Sequence, residues 1–245
     1  MSKQATRIAM WSGPRNISTA LMRAWENRSD TVVWDEPFYA HYLHVSGSQH
    51  PGRDEIIESY ERDWVKVVEA ATGAIPHGKS IYYQKYMSHH MLEHIKLDWL
   101  TKLSNCFLIR EPREMITSYI RVRPNATFHD TGYPQQWRLF QYVRDATGTI
   151  PLVLDSRDVL ENPRRMLSLL CEAIGVEFSE KMLTWPAGKR ASDGVWNKYW
   201  YASVEKSTSF APYKPKSDVL PDHLQGLLEQ CNDIYHQLYP HRLGK

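Results

Sequence analysis

The sequence predicts an α/β protein with a three-layer architecture, a mainly parallel central sheet of about five strands flanked by helices. Two patterns lead to this. Short apolar runs alternate with helical periodicities along most of the chain. The runs also end in residues suited to chemistry: Ser12-Gly13-Pro14-Arg15, Asp35-Glu36-Pro37, Lys85 and Arg110-Glu111-Pro112. Those are strand carboxyl ends, the edge at which open α/β sheets bind ligands. At 245 residues with a 42% hydrophobic and 24% charged composition, the chain can bury an ample core. It shows no repeat, low-complexity tract or linker, and it reads as one domain, 1–245.

The first strand is the run Ile8-Ala9-Met10-Trp11, and the helix after it carries Ile17, Leu21 and Trp25 on one face. Thr31 to Trp34 is β-branched and aromatic, a second strand. Phe38 to Gly52 reads as a short aromatic helix and a loop, and Arg53 to Thr72 as one amphipathic helix stopped by Gly73 and Pro76. Ser80 to Gln84 is a third strand, with Lys85 just beyond it. A helix over 91–103 precedes a fourth strand, Cys106 to Ile109, and Pro112 opens the next helix. Tyr133 to Thr147 is helical, 150–154 is the fifth strand, and Pro163 to Ile174 is helical. Residues 185–220 are polar and aromatic with scattered Gly and Pro, a long loop whose rings argue against disorder. A helix over about 221–239 closes the chain.

A net charge of +2 gives no general attraction to nucleic acid. The three cysteines, Cys106, Cys171 and Cys231, are odd in number and show no metal spacing, which suits reduced thiols in the cytoplasm. No apolar run has membrane-spanning length, and the first ten residues lack a signal-peptide core. The expected partners are therefore small molecules, with neither nucleic acid nor membrane; a homodimer stays open.

The segment from Gly13 to Thr19 carries the most chemistry. A strand, a tight turn and a helix N-terminus form an anion site, because the first helical N–H groups lack partners and the dipole favours negative charge. No Gly-Lys-Ser/Thr follows, so the nucleoside-triphosphate version of this loop is absent. Arg15 offers a forked cation and Ser18 and Thr19 offer hydroxyls. A second segment, Arg110-Glu111-Pro112-Arg113, places Ser118 two helical turns beyond a strand-end arginine.

With both segments in this order, the chain resembles the sulfotransferases that use 3′-phosphoadenosine 5′-phosphosulfate. The resemblance implies a fold like that of the P-loop-containing nucleoside triphosphate hydrolases. It implies that Gly13, Pro14, Arg15, Asn16, Ile17, Ser18 and Thr19 grip the 5′-phosphosulfate, and that Arg110 and Ser118 grip the 3′-phosphate. Lys189-Arg190-Ala191-Ser192-Asp193-Gly194-Val195-Trp196 looks like a loose version of the family segment that closes over the 3′-phosphate, through Lys189 and Arg190. Asn16-Ile17 replaces the family's common Ser-Gly. The opening SGPRNISTALM and the WDEPFYAHYL segment look most like a bacterial-type branch.

By the same resemblance Lys85 contacts the bridging oxygen of the leaving group and Glu36 is the base. The family histidine two positions after the lysine is Met87 here, which leaves His90 as the second candidate base. His90 and His94 fall four apart on the expected helix, but without a third ligand they do not make a metal site, and no metal is expected. The implied reaction is in-line sulfuryl transfer from the phosphosulfate donor to a hydroxyl or amine of a small acceptor. The alternatives are a nucleotide-dependent kinase, disfavoured by the missing P-loop lysine, and a nucleotide-binding module without catalysis.

Overall fold

The computed structural model describes residues 5–215 and 218–245. The sequence-based statements about the first four residues and about positions 216 and 217 of the tail lie outside them. Five strands form one sheet in the order β2-β3-β1-β4-β5. They are β1 (Thr6–Ser12), β2 (Thr31–Asp35), β3 (Ile81–Met87), β4 (Ser104–Ile109) and β5 (Leu152–Asp155), and every pairing is parallel. Parallel strands are covered on both faces, which explains their near-continuous burial. Along β1, Ile8 and Met10 enter one core while Ala9 and Trp11 enter the other.

The Ile8 side is packed by α1 (Ser18–Glu26), α7 (Ser156–Glu161) and α8 (Pro163–Ile174). The Trp11 side is packed by α4 (Trp64–Thr72), α5 (Pro112–Tyr119), α6 (Tyr133–Thr147) and α10 (Gln225–Leu238). Beside the β2 edge lie α2 (Tyr39–Ser46) and α3 (Arg53–Ser59), with Ile56 and Leu43 in a third cluster around Trp196 and Tyr201. Trp196 precedes the one-turn helix α9 (Asn197–Trp200). Among the described residues, no helix is long and apolar enough to cross a membrane.

Four expectations are corrected. The helix over 53–72 is two helices, because Tyr60 is extended and Asp63 caps α4 through Val65 N at 2.9 Å. Tyr60 has a tertiary partner: its hydroxyl accepts from Val195 N at 3.1 Å and its ring meets Trp196. No α-helix forms over 91–103; a 3₁₀ turn covers Asp98–Lys102. There Arg138 takes the carbonyl oxygens of Met91 and Leu92, which a helix would have used itself. The third strand extends to Met87, so Lys85 lies inside it. The short α7 was not foreseen; Asp155 ends β5 and also caps α7, accepting from Arg157 N at 2.8 Å.

The turn after β1 sits tightly on the start of α6. A Cβ at Gly13 would lie 2.6 Å from the Thr131 carbonyl oxygen, and one at Gly132, whose φ is +77°, would lie 3.2 Å from Gly13 Cα. Both glycines let two backbones approach, so Gly13 serves loop placement. Gly13→Ala is expected to lose about 1–3 kcal/mol of stability, as over-packing does, read as a lower urea midpoint with unchanged m-value. Parental stability would show that the entry to α6 can retreat.

Candidate functional site

All five strand carboxyl ends open onto one cavity of about 620 Å³. Its walls divide by strand order. From the β2–β3 side come Glu36 and Lys85; from the β1–β4–β5 side come Arg15, Arg110, Ser118 and Ser156.

On the second side α1 starts without a side-chain cap, so its first N–H groups remain available to a ligand. Pro14, Arg15, Asn16, Ile17, Ser18 and Thr19 all line the cavity there. Asn16 holds the turn rather than presenting itself: its amide donates to the Leu108 carbonyl at 3.1 Å, and its own oxygen accepts from Ile17 N at 2.9 Å. Arg15 has left-handed backbone, φ 55°. Its Nε donates to Ser118 Oγ at 3.2 Å, so the two predicted anion-binding segments meet directly. Burial lowers the Arg15 pKa, as do Arg110 and then Arg121. Arg15 thus sits in the positive field of its neighbours, which an anion would relieve. Arg110 is steadied by Glu114 at 3.1 Å and by the carbonyl oxygen of Arg15. Glu114 also accepts from the Tyr213 hydroxyl at 2.5 Å.

On the first side the β2–β3 register sets Asp35 directly beside Lys85. Lys85 is 1% exposed and its ammonium has three partners: Asp35 Oδ1 at 2.8 Å, Glu36 Oε1 at 2.6 Å and Tyr201 Oη at 2.8 Å. All three N–H donors are thereby occupied. Tyr201 in turn donates to Asp35 Oδ2 at 2.6 Å and accepts from Trp196 Nε1 at 3.2 Å. Glu36, like Arg15, has left-handed backbone, φ 44°. Burial pushes its carboxyl up to about 7 against the pull of Lys85. Burial opposes the charge on Lys85 itself, but Asp35 and Glu36 overcome it and hold its pKa well above the ordinary lysine value.

His90 also lines the cavity, stacked between Tyr39 and Tyr42 at centroid distances of 4.5 and 4.8 Å. Burial holds it well below the ordinary histidine pKa, a poor property in a base at neutral pH. With no helix over 91–103, His90 and His94 share no face; His94 meets His41 instead, Nε2 to Nε2 at 2.9 Å. Among the described residues, no group of three or more His, Cys, Asp and Glu is arranged to hold a metal ion.

Gly13, Lys189 and Arg190 do not line the cavity. The Lys189–Trp196 segment docks on the later turns of α1: Asp193 accepts from Arg23 at 2.7 Å and from Arg190 N at 2.8 Å, and Ser192 donates to Glu26 at 2.5 Å. Lys189 is exposed. The tail closes the cavity further on, with Phe210, Tyr213 and Lys214. The sequence reading missed Tyr201, Asp35 as a lysine partner, Lys214 and Arg123. Asp35 could be found once the strand register was known; nothing local marks the other three.

Fold and site together define an α/β protein whose sheet edge pairs a cationic strand-turn-helix with a buried Lys-carboxylate cluster. The chain belongs to the sulfotransferase domain family, whose model matches residues 6–238. It is similar to the branched-chain-amino-acid aminotransferase-like protein 2 of Arabidopsis thaliana, 31% identical over 238 residues and 97% of this chain. The match spans only 42% of that relative's own length. Two solved structures share the fold. The sulfotransferase domain from the Synechococcus PCC 7002 olefin synthase has a TM-score of 0.60 at 15% identity, covering 96% of this chain and 97% of that one. The sulfotransferase domain from the curacin biosynthetic pathway has a TM-score of 0.56 at 16% identity, covering 97% and 99%.

Proposed function

We propose that the protein transfers a sulfuryl group from 3′-phosphoadenosine 5′-phosphosulfate to a hydroxyl or amine of a small molecule. The observation that carries this is one cavity with a carboxylate of raised pKa at one end and, at the other, Arg15 held by a hydroxyl beside Arg110 and an uncapped helix start. The cationic end fits the donor, because among the described residues Arg15 has a hydroxyl but no carboxylate partner, and no side chain caps the α1 N-terminus. Arg15, Ser18, Thr19, Arg110, Ser118 and Lys214 would hold it. When bound, the donor supplies an activated sulfuryl group with a bisphosphate as leaving group. Lys189 and Arg190, docked against α1, are left out of this assignment.

Glu36 takes the acceptor's proton. A carboxyl near pH 7 balances being ionised against being basic. Lys85 has no spare N–H while Glu36 is ionised. Proton uptake at Glu36 Oε1 loosens that contact and frees one Lys85 N–H to turn into the cavity, where it can stabilise charge on a departing oxygen. Base and acid are thus linked through one hydrogen bond.

The reading is tested by calorimetric titration with adenosine 3′,5′-bisphosphate. Saturable one-site binding is expected, and its absence would overturn the assignment. A pH profile tests the base. Because the ionised form of Glu36 is the active one and its pKa is raised to about 7, kcat should climb as pH rises through 7 and level off above it. Glu36→Gln should lower kcat by about 10²–10⁴-fold and flatten that rise. A rise that survives in Glu36→Gln would move the base elsewhere.

A further inference from the structure

The cavity has a second cationic pole that the donor does not account for. Beyond Glu36 and Lys85, its wall is built from Tyr39, His50, His89, His90, Tyr119 and Arg123. The rings brace one another: Tyr39 Oη meets His50 Nδ1 at 2.7 Å, His90 stacks on Tyr39 and Tyr42, and His89 lies edge-on to His90 at 4.4 Å. Burial pushes His50 down to about 4 and His89 down to about 3, and holds His90 well below its ordinary value, so this wall is neutral at pH 7. Arg123 is its charge.

Arg123 Nη1 donates to the Gln49 carbonyl at 2.7 Å, and Arg123 lines the same wall as Tyr119. Asp130 is the acid whose field reaches this region. Its carboxylate is engaged by Thr127, accepting from the backbone N and from Oγ1 at 2.8 Å each. Among the described residues, Arg123 forms no ion pair. A half-buried arginine facing aromatic and neutral imidazole rings, hydrogen-bonded to a neutral carbonyl and with the Asp130 carboxylate acting on it only beyond ion-pair distance, can be matched by an anion in direct contact. The donor's phosphates are drawn to the β1–β4 side by Arg15 and Arg110, so the anion that meets Arg123 comes from the other substrate.

Resting on the transferase reading above, we propose that the acceptor carries an anionic group, a carboxylate or a phosphate, which pairs with Arg123 while its hydroxyl or amine faces Glu36. Ring-lined walls suit a flat body between the two ends. A cation without an anionic group would gain nothing from the neutral histidines and would be repelled by Arg123.

The test uses the full chain saturated with adenosine 3′,5′-bisphosphate and titrated with a charge series on one phenolic frame: 4-hydroxyphenylacetate, 4-hydroxyphenylacetamide and tyramine, with 4-hydroxybenzylphosphonate as the second anion. The acetate should bind about tenfold or more tighter than the amide, with tyramine weakest. The ranking of acetate against phosphonate decides which anion the site prefers. Arg123→Gln should erase the preference and Arg123→Lys should keep part of it, each checked for folding by its melting temperature. Equal affinities across the series, no binding of either anion, or a preference that survives in Arg123→Gln would overturn the proposal. Bisphosphate binding is measured first. Its failure overturns the transferase reading and this proposal with it, whereas normal bisphosphate binding without charge preference overturns only the acceptor assignment.

Discussion

Lys85→Met is expected to lose about 3–5 kcal/mol of stability, the scale of removing one partner from a buried ion pair, and to abolish sulfuryl transfer. The cause is what stays behind. Asp35, 3% exposed, loses its cation, Glu36 loses the contact that keeps it ionised, and the Tyr201 hydroxyl loses one of its partners. Urea unfolding measures the first effect and turnover the second. The two are separable, because Lys85→Met combined with Asp35→Asn and Glu36→Gln removes the stranded charges. The triple variant should recover most of the stability and none of the activity. If Lys85→Met were as stable as the parent, both carboxylates would have to be protonated in the folded protein, and the three-way cage around the ammonium would be refuted.

The second large effect concerns the donor end. Arg15→Ala and Arg110→Ala should each weaken adenosine 3′,5′-bisphosphate binding by about 1.5–3 kcal/mol, the range for a charged hydrogen-bond partner, or roughly tenfold to a hundredfold. Arg110→Ala should sit at the upper end, since it also unmasks Glu114, the carboxylate it pairs with at 3.1 Å, beside the incoming phosphates. Glu114→Gln should instead tighten binding and steepen its loss with added salt, as freed cations are more easily screened. Calorimetry at two ionic strengths reads both. Affinity indifferent to Arg15 and Arg110 would remove the phosphates from this end of the cavity.

How much of this could be read in the chain depends on the range of the forces involved. The strands announce themselves because a parallel sheet buried on both faces demands unbroken apolar runs, and Cys106 to Ile109 is such a run. The strand-turn-helix segment at the cavity was legible for a local reason: Gly13 to Thr19 contains the turn, the cation and the helix start together. Where long-range contacts compete, the local signal failed. Residues 53–72 have helical periodicity throughout, yet Tyr60 leaves the helix to reach Val195 and Trp196. Lys189 and Arg190 look like phosphate ligands in sequence, but the buried Arg23–Asp193 pair anchors their segment to α1. Tyr201 reaches Asp35 across 166 positions, a separation at which no motif operates.

Of the residues with side chains, three in the described chain have left-handed backbone, and two of them, Arg15 and Glu36, are the proposed donor-binding cation and the proposed base. Such a conformation costs about 1–3 kcal/mol for a residue with a Cβ and nothing comparable for glycine. Folding and chemistry therefore pull in opposite directions at these two positions. A lineage or a laboratory screen selected only for robustness would drift toward glycine at both, relieving backbone strain while losing the groups proposed to touch the substrates. Their retention would be a record of selection for turnover, and loss at either position would mark a relative that has kept the scaffold and abandoned the reaction.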